Sequence, residues 1–304
     1  MQEIRLKAFA KINYALDVLG LRADGYHEIR TVLQSISLSE EVGIERISDG
    51  FELVTEPGQT DIGPPERNTA YVAWKSLRRL TGEALPARVT LRKAIPAGAG
   101  LGGGSADAAA VLVGLNELFG LGLRVNELRE VGTGIGADVP FCISGGTALG
   151  EGAGEVLTPL PGPPAHRLVL AKPHRSADTG EIYRAYDTVG MESAHSVETV
   201  VSALRSQSVL ALAAAVGNDL AQVTKGFAPE IGALEQLLAA SGALGSSMSG
   251  SGTALYGIFD DEATAESAKA KVDVPCFGVY APVPFGVEIE QAACDSRNSN
   301  NIGH

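Results

Sequence analysis

The chain reads as an α+β protein, and three observations predict it. Residues 3–8 and 87–92 alternate apolar and polar side chains, the period of a half-buried strand. Residues 105–119 form an Ala- and Leu-rich helical run placed directly behind a cluster of glycines. The second half follows a βααβαβ-like order, which suits helices laid against an antiparallel sheet. With 304 residues the chain is long enough for two domains, each with its own core.

In order, the alternation of Ile4, Leu6 and Ala8 against Glu3, Arg5 and Lys7 predicts a first strand over 3–8. A second is expected at 15–19, closed by the Asp24-Gly25 turn, with further strands at 31–38, 42–47 and 51–55. Residues 57–65 are a Gly/Pro-rich loop. Val72, Trp74, Leu77 and Leu80 have helical spacing, so 69–80 reads as a helix. The strand at 87–92 leads into the glycines and the helix at 105–119, whose first amides Ser105 or Asp107 can cap. Segments 139–144 and 148–151 complete the first half, and the Pro/Gly-rich stretch 159–164 marks a domain boundary. Beyond it, strands are expected at 168–171, 254–259 and 277–280. Helices are expected near 179–185, 197–206, 210–215, 230–241 and 262–271. Residues 295–304 are polar and are expected to be disordered.

Composition narrows the function classes. Hydrophobic residues make up 45% and charged residues 20%, as in ordinary globular proteins. A net charge of −12 argues against nucleic acid or an anionic membrane as partner. The three cysteines, Cys142, Cys276 and Cys294, are odd in number and far apart, which points to reduced thiols in a cytoplasmic protein. Charges at Glu3, Arg5, Lys7 and Lys11 leave no room for a signal-peptide core, and there is no run of 18 apolar residues to cross a membrane.

The strongest motif is Pro96-Ala-Gly-Ala-Gly-Leu-Gly-Gly-Gly-Ser-Ala-Asp-Ala108. Glycine lets backbone amides approach a ligand, and the helix behind them adds unpaired N–H groups and a positive dipole end. Together these suit an anion, above all a polyphosphate. The loop is not a Walker A motif, because Gly104 stands before Ser105 where a Lys is required to reach the β/γ-phosphates. Gly98, Gly100 and Gly103 satisfy a dinucleotide pattern, but Pro96 precedes them and no strand ending in an acid follows. No His-Arg-Asp or Asp-Phe-Gly follows either, so a protein-kinase loop does not fit.

Four further pieces carry candidate chemistry, each with a plain alternative. Lys11-Ile-Asn13 supplies a cation and an amide, or a solvated lysine. Arg22-Ala-Asp-Gly-Tyr-His27 puts an aromatic and an imidazole beside a turn, or is only the turn. Asp138, in Gly136-Ala-Asp-Val-Pro-Phe141, either caps a helix or does chemistry. Ser249-Gly-Ser-Gly-Thr253 is a second anion nest or a hydroxyl-rich turn.

Taken together and in this order, these motifs resemble the GHMP small-molecule kinases. The likeness runs from about residue 4 to residue 290. It rests on Ala10–Asn13, Arg22–His27, Ile95–Ala109, Gly136–Phe141 with Gly145-Gly146, and Met248–Thr253. The resemblance implies the GHMP kinase fold, with an N-terminal ribosomal-protein-S5-like domain (1–160) and a C-terminal ferredoxin-like α/β sandwich (161–294). The Arg22–His27 segment is similar to the cytidine-recognition segment of members acting in the non-mevalonate route to isoprenoid precursors. That implies ATP-dependent phosphorylation of the 2-hydroxyl of 4-diphosphocytidyl-2-C-methyl-D-erythritol.

Residue by residue, the resemblance makes Asp138 the catalytic base, also facing the substrate, and Lys11 its electrostatic partner. Asn13 holds substrate. Tyr26 and Tyr183 take the two faces of the cytosine and His27 its edge. Pro96, Gly98, Gly100, Leu101, Gly102, Gly103, Gly104 and Ser105 belong to the ATP-phosphate loop, with Asn68 and Lys93 near the nucleoside. Gly250, Ser251 and Gly252 close over the site. ATP and Mg²⁺ are the implied cofactors, with Ser105 a candidate metal ligand. The implied partners are ATP and the cytidylyl alcohol, without nucleic acid or membrane, and the protein is expected to be a monomer or homodimer. The sequence departs from the family at Phe9, Tyr14 and Ala153. A GHMP kinase for mevalonate or homoserine would not need Tyr26, His27 and Tyr183 together. A non-catalytic sensor of the same fold should lack Lys11 or Asp138, and both are present.

Overall fold

The first two strands organise the molecule. In the computed structural model, which describes residues 2–56, 65–190, 197–274 and 276–293, β1 (Glu3–Leu21) and β2 (His27–Arg46) are single long strands. Alternation had indicated two short strands in each place. Residues 8–18 of β1 are buried on both faces, so the period of two vanishes where the strand is most enclosed. The tail at 295–304, Cys294 and residues 57–64 of the Gly/Pro-rich loop lie outside the described residues.

β3 (Phe51–Thr55), α1 (Thr69–Thr81) and β4 (Ala87–Arg92) follow, and β3 pairs parallel with β4. α1 is capped by Asn68, whose side chain accepts from the Ala70 amide, and stops at Gly82. α2 (Gly103–Phe119) buries Ala106, Ala108, Ala109, Val111, Leu112 and Leu115; the small side chains let it lie close to β1 and β2. α3 (Val125–Thr133), α4 (Val139–Ser144), β5 (Thr147–Glu151) and β6 (Val156–Pro159) close the first half.

The second half contains β7 (Arg167–Ala171), α5 (Thr179–Val189), α6 (Val197–Ser206), α7 (Val209–Ala215), β8 (Gly217–Asn218), α8 (Ala221–Phe227) and α9 (Glu230–Ala240). Then come β9 (Gly245–Met248), β10 (Leu255–Phe259), α10 (Glu262–Lys269), β11 (Cys276–Tyr280) and β12 (Val287–Ala293). One sheet runs β12-β1-β2-β4-β3, with β5 and β6 joined through β2 and β8 beside β1. The other is antiparallel, in the order β11-β7-β10-β9, a ferredoxin-like arrangement.

The last described strand returns to the first sheet, where β12 pairs antiparallel with β1. Ile4, Leu6, Ala8, Ala10, Ile12 and Tyr14 enter the larger core, while Leu16 and Val18 enter the smaller one. β1 is therefore shared by both cores. Its pairing with β2 shifts register between Phe9 and Ala10 and again between Asn13 and Ala15. Those two irregularities bracket Lys11, Ile12 and Asn13, the kind of place where bulges redirect side chains.

Candidate active site

Two cavities meet at the glycine loop. One, of about 680 Å³, is lined by Lys11, Asn13, Asp138, Tyr26, His27, Tyr183, Gly250 and Ser251. The other, of about 440 Å³, is lined by Asn68, Lys93 and the loop from Ile95 to Ser105. Gly100, Gly102 and Ser105 line both, so the loop forms the wall between them. Of the residues predicted for the site, Gly252 lines neither cavity; its amide donates to Ser249 O at 2.9 Å beside the loop.

The loop is held from both domains. Lys11 N donates to Leu101 O at 3.0 Å, and from the other side Ala254 N donates to Ala99 O at 3.1 Å. Ser249 Oγ donates to Gly100 O at 2.8 Å. Gly100 has φ +75°, and a Cβ there would fall 2.0 Å from Ser249 O, so no side chain fits. α2 then begins at Gly103 with Gly102 as N-cap. The expected capping by Ser105 or Asp107 is not found: no side chain caps this helix. Asp107 turns inward instead, to Lys93 Nζ at 2.6 Å. The first turn thus keeps the unsatisfied amides that an anion would use.

Lys93 lines the smaller cavity, but its ammonium is held between Asp107 and Glu40 Oε2, the latter at 2.5 Å. Glu40 is fully buried, and burial, then the charge of Asp107, push its carboxyl up to about 9. Asn68 spends its side-chain oxygen on the α1 cap, while Thr69 Oγ1 donates to Gly104 O at 2.6 Å and ties α1 to the loop.

On the other side of the loop, Asp138 occupies the N-cap position of α4 yet makes no cap bond. Its Oδ2 lies 3.4 Å from Lys11 Nζ. The Lys11 side chain is only 5% exposed, and its Nζ donates to Asn13 Oδ1 at 2.9 Å. The amide of Asn13 is thus engaged with Lys11 in this structure. Cys142 lies beneath the pair, and burial holds its thiol well above the ordinary range.

Tyr26, His27 and Tyr183 share the larger cavity. The His27 ring stacks on Tyr183 with centroids 4.5 Å apart, and its Nε2 lies 2.8 Å from Asp187 Oδ1. Tyr26 stands 65% exposed at the mouth. Burial, reinforced by the charge of Asp138, raises the Tyr183 phenol above its usual range. Sequence reading did not find Asp187, Glu40 or Thr31. Asp187 had a usable signal, since it follows Tyr183 by four residues and shares its face of α5. Glu40 and Thr31 had none, because each is one polar residue within a strand.

Among the described residues no group of three His, Cys, Asp or Glu side chains is placed to hold a metal, so there is no all-protein cage. A hydroxyl at Ser105, on the wall shared by the two cavities, fits a Mg²⁺ that is mostly coordinated by phosphate and water. The arrangement can hold a polyphosphate on one side of the loop and an alcohol on the other, with a base and a cation beside the wall.

Two family descriptions match the chain: GHMP kinases N terminal domain over residues 68–146 and GHMP kinases C terminal over residues 200–274. A 4-diphosphocytidyl-2-C-methyl-D-erythritol kinase of Caldicellulosiruptor bescii is 41% identical over 271 residues, covering 89% of this chain and 94% of the relative. A crystal structure of a 4-(cytidine 5'-diphospho)-2C-methyl-D-erythritol kinase is similar at a TM-score of 0.75 and 32% identity, covering 92% of this chain and 98% of that one. A homoserine kinase from Cytophaga hutchinsonii reaches the same TM-score of 0.75 at 18% identity, over 95% and 98% of the two chains, a likeness of fold.

Proposed function

The chain belongs to the 4-diphosphocytidyl-2-C-methyl-D-erythritol kinase family of the GHMP kinases, and we propose that it transfers the γ-phosphoryl group of ATP to the 2-hydroxyl of that cytidylyl alcohol. It acts as a cytoplasmic enzyme of the non-mevalonate route to isoprenoid precursors. One observation carries the mechanism: the Lys11–Asp138 contact of 3.4 Å lines the acceptor cavity, which shares Gly100, Gly102 and Ser105 with the loop cavity.

Phosphoryl transfer passes through a loose transition state, so positioning and charge compensation matter more than early deprotonation of the alcohol. Asp138 accepts the hydroxyl proton and orients the oxygen toward the loop. The Lys11 ammonium offsets the charge that spreads over the transferring group. Loop amides and the uncapped first turn of α2 bind the phosphates. Ser105, with the phosphates, would hold Mg²⁺, which would supply charge neutralisation for the phosphates. Tyr26, His27 and Tyr183 bind the cytosine, and Gly250 and Ser251 cover the acceptor. Tyr183 stacks on His27, so binding of the base requires that pair to part or the base to use the other face of Tyr183.

The test is ADP release from Mg-ATP with 4-diphosphocytidyl-2-C-methyl-D-erythritol, mevalonate and homoserine as parallel acceptors. Turnover with the cytidylyl alcohol alone is the expected result. Turnover only with another acceptor would keep the phosphoryl-transfer chemistry and remove the cytidine assignment. Silence with all three would favour a ligand sensor.

A further inference from the structure

We propose that Thr31 is a positioning residue for phosphoryl transfer: its hydroxyl sets the orientation of the Asn13 amide, which in turn holds the Lys11 ammonium beside Asp138. The proposal deepens the reading above and rests on it.

The argument is one of donors and acceptors. Thr31 sits on β2 opposite Leu16, just past the register shift that follows Asn13, and its side chain is buried. Its hydroxyl oxygen lies 2.6 Å from the carbonyl oxygen of Ala15. A carbonyl can only accept, so the single hydroxyl proton is committed to Ala15. Toward Asn13 the hydroxyl offers only lone pairs, and the Asn13 atom 2.7 Å away must therefore be Nδ2. That choice turns Oδ1 toward Lys11, whose ammonium is donor-only and lies 2.9 Å from it. The reversed amide would set N–H groups against the ammonium and oxygen against an oxygen without a proton. Both ends of the chain thus demand the same orientation.

Among the described residues Thr31 is the recorded acceptor for Asn13 Nδ2. Thr31 is 1%, Asn13 2% and Lys11 4% exposed, and what solvent access they have comes through the larger cavity, which all three line. The backbone of Asn13 is anchored separately, since Tyr256 Oη donates to its carbonyl at 2.9 Å. Ser249 Oγ, 3.3 Å from Asn13 Oδ1, has its shorter contact with Gly100 O at 2.8 Å. Without the Thr31 hydroxyl the amide keeps its place but loses the acceptor for Nδ2, and only the contact with Lys11 still orients it. The acceptor offered to Lys11 is then less firmly fixed, and with it the distance to Asp138.

The test compares Thr31→Val, which keeps the shape and removes the hydroxyl, with Thr31→Ser, which keeps the hydroxyl. Thr31→Val is expected to lower kcat by about 10- to 100-fold, the scale of an ångström-sized misplacement near reacting atoms, with KM for ATP and the cytidylyl alcohol little changed. Thr31→Ser should recover most of kcat. The Asn13 side-chain amide, followed by NMR without ligand, should be protected from hydrogen exchange in the wild type and Thr31→Ser and exposed in Thr31→Val. Any of three results overturns the proposal: near-normal kcat in Thr31→Val, a rise in KM alone, or equal impairment of both variants. If the wild type itself fails to turn over the cytidylyl alcohol, the activity reading falls. Amide exchange then decides the positioning role, and equal protection in all three proteins would refute it.

Discussion

Lys11 Cγ lies 3.0 Å from the point where a Cβ on Gly102 would sit. The glycine loop and the buried lysine are thus fitted so closely that a methyl group would have to push the Lys11 stem aside by a few tenths of an ångström. Gly102 also has φ +74°, where an L side chain is strained. Gly102→Ala is expected to displace Lys11 and lower kcat by at least about tenfold, with a strain cost of about 1–2 kcal/mol visible as a lower Tm. Steady-state kinetics with thermal melts check it; unchanged kcat would mean that the lysine position is not limiting.

Asp138→Asn keeps the shape of the side chain and removes the proton acceptor. It should lower kcat by about 10²- to 10⁴-fold, the usual contribution of a positioned acid or base, while KM changes little. Lys11→Ala should fall in the same direction. A variant that retained near-normal turnover would take its residue out of the mechanism.

Glu40 makes stability depend on pH. Its carboxyl ionises near 4.5 in the unfolded chain and is pushed up to about 9 in the fold, by burial first and the charge of Asp107 second. Stability present below the unfolded value is therefore lost progressively as pH rises towards about 9, at no more than about 1.4 kcal/mol per pH unit. Burial opposes the charge of Lys93, but Asp107 and Glu40 outweigh it and hold its ammonium above 10.5; its own loss of stability comes at higher pH. His166, lowered by burial, acts below 6.5. Between pH 7 and 9, Glu40→Gln should therefore show a shallower fall in unfolding free energy than the wild type. Parallel slopes in denaturant titrations would reject this account.

Tyr26→Ala and His27→Ala should act on binding. Stacking of Tyr26 on the base is worth about 1–3 kcal/mol, so KM for the cytidylyl alcohol should rise about 5- to 150-fold in Tyr26→Ala, and less in His27→Ala, which loses a hydrogen bond to the base edge, while KM for ATP stays constant. An unchanged acceptor KM would remove both from cytosine recognition.

Much of this was legible in the sequence because it is local. The glycine run, the helix behind it, and the second-half strands at residues 167–171, 255–259 and 276–280 carry their own periodicity and turn chemistry. What escaped depends on burial from elsewhere in the chain. Residues 9–14 lose their alternation because both faces of β1 are covered, so the strand that carries Lys11 and Asn13 looked like a gap between two strands. Glu40 resembles any acid on a strand until Lys93 and Asp107 are brought to it across the fold. Asp138 stood where a cap belongs, and only its distance to Lys11 shows that the side chain is used otherwise.

The ties from Ala254 to Ala99 and from Ser249 to Gly100 mean that the nucleotide loop is finished by the other half of the chain. A chimera joined near residue 160 inherits its loop from one parent and the clasp for it from the other. Residues 99–102 and 249–254 are thus one physical unit, and chimeras that mismatch their backbones should fold both sheets yet bind nucleotide poorly.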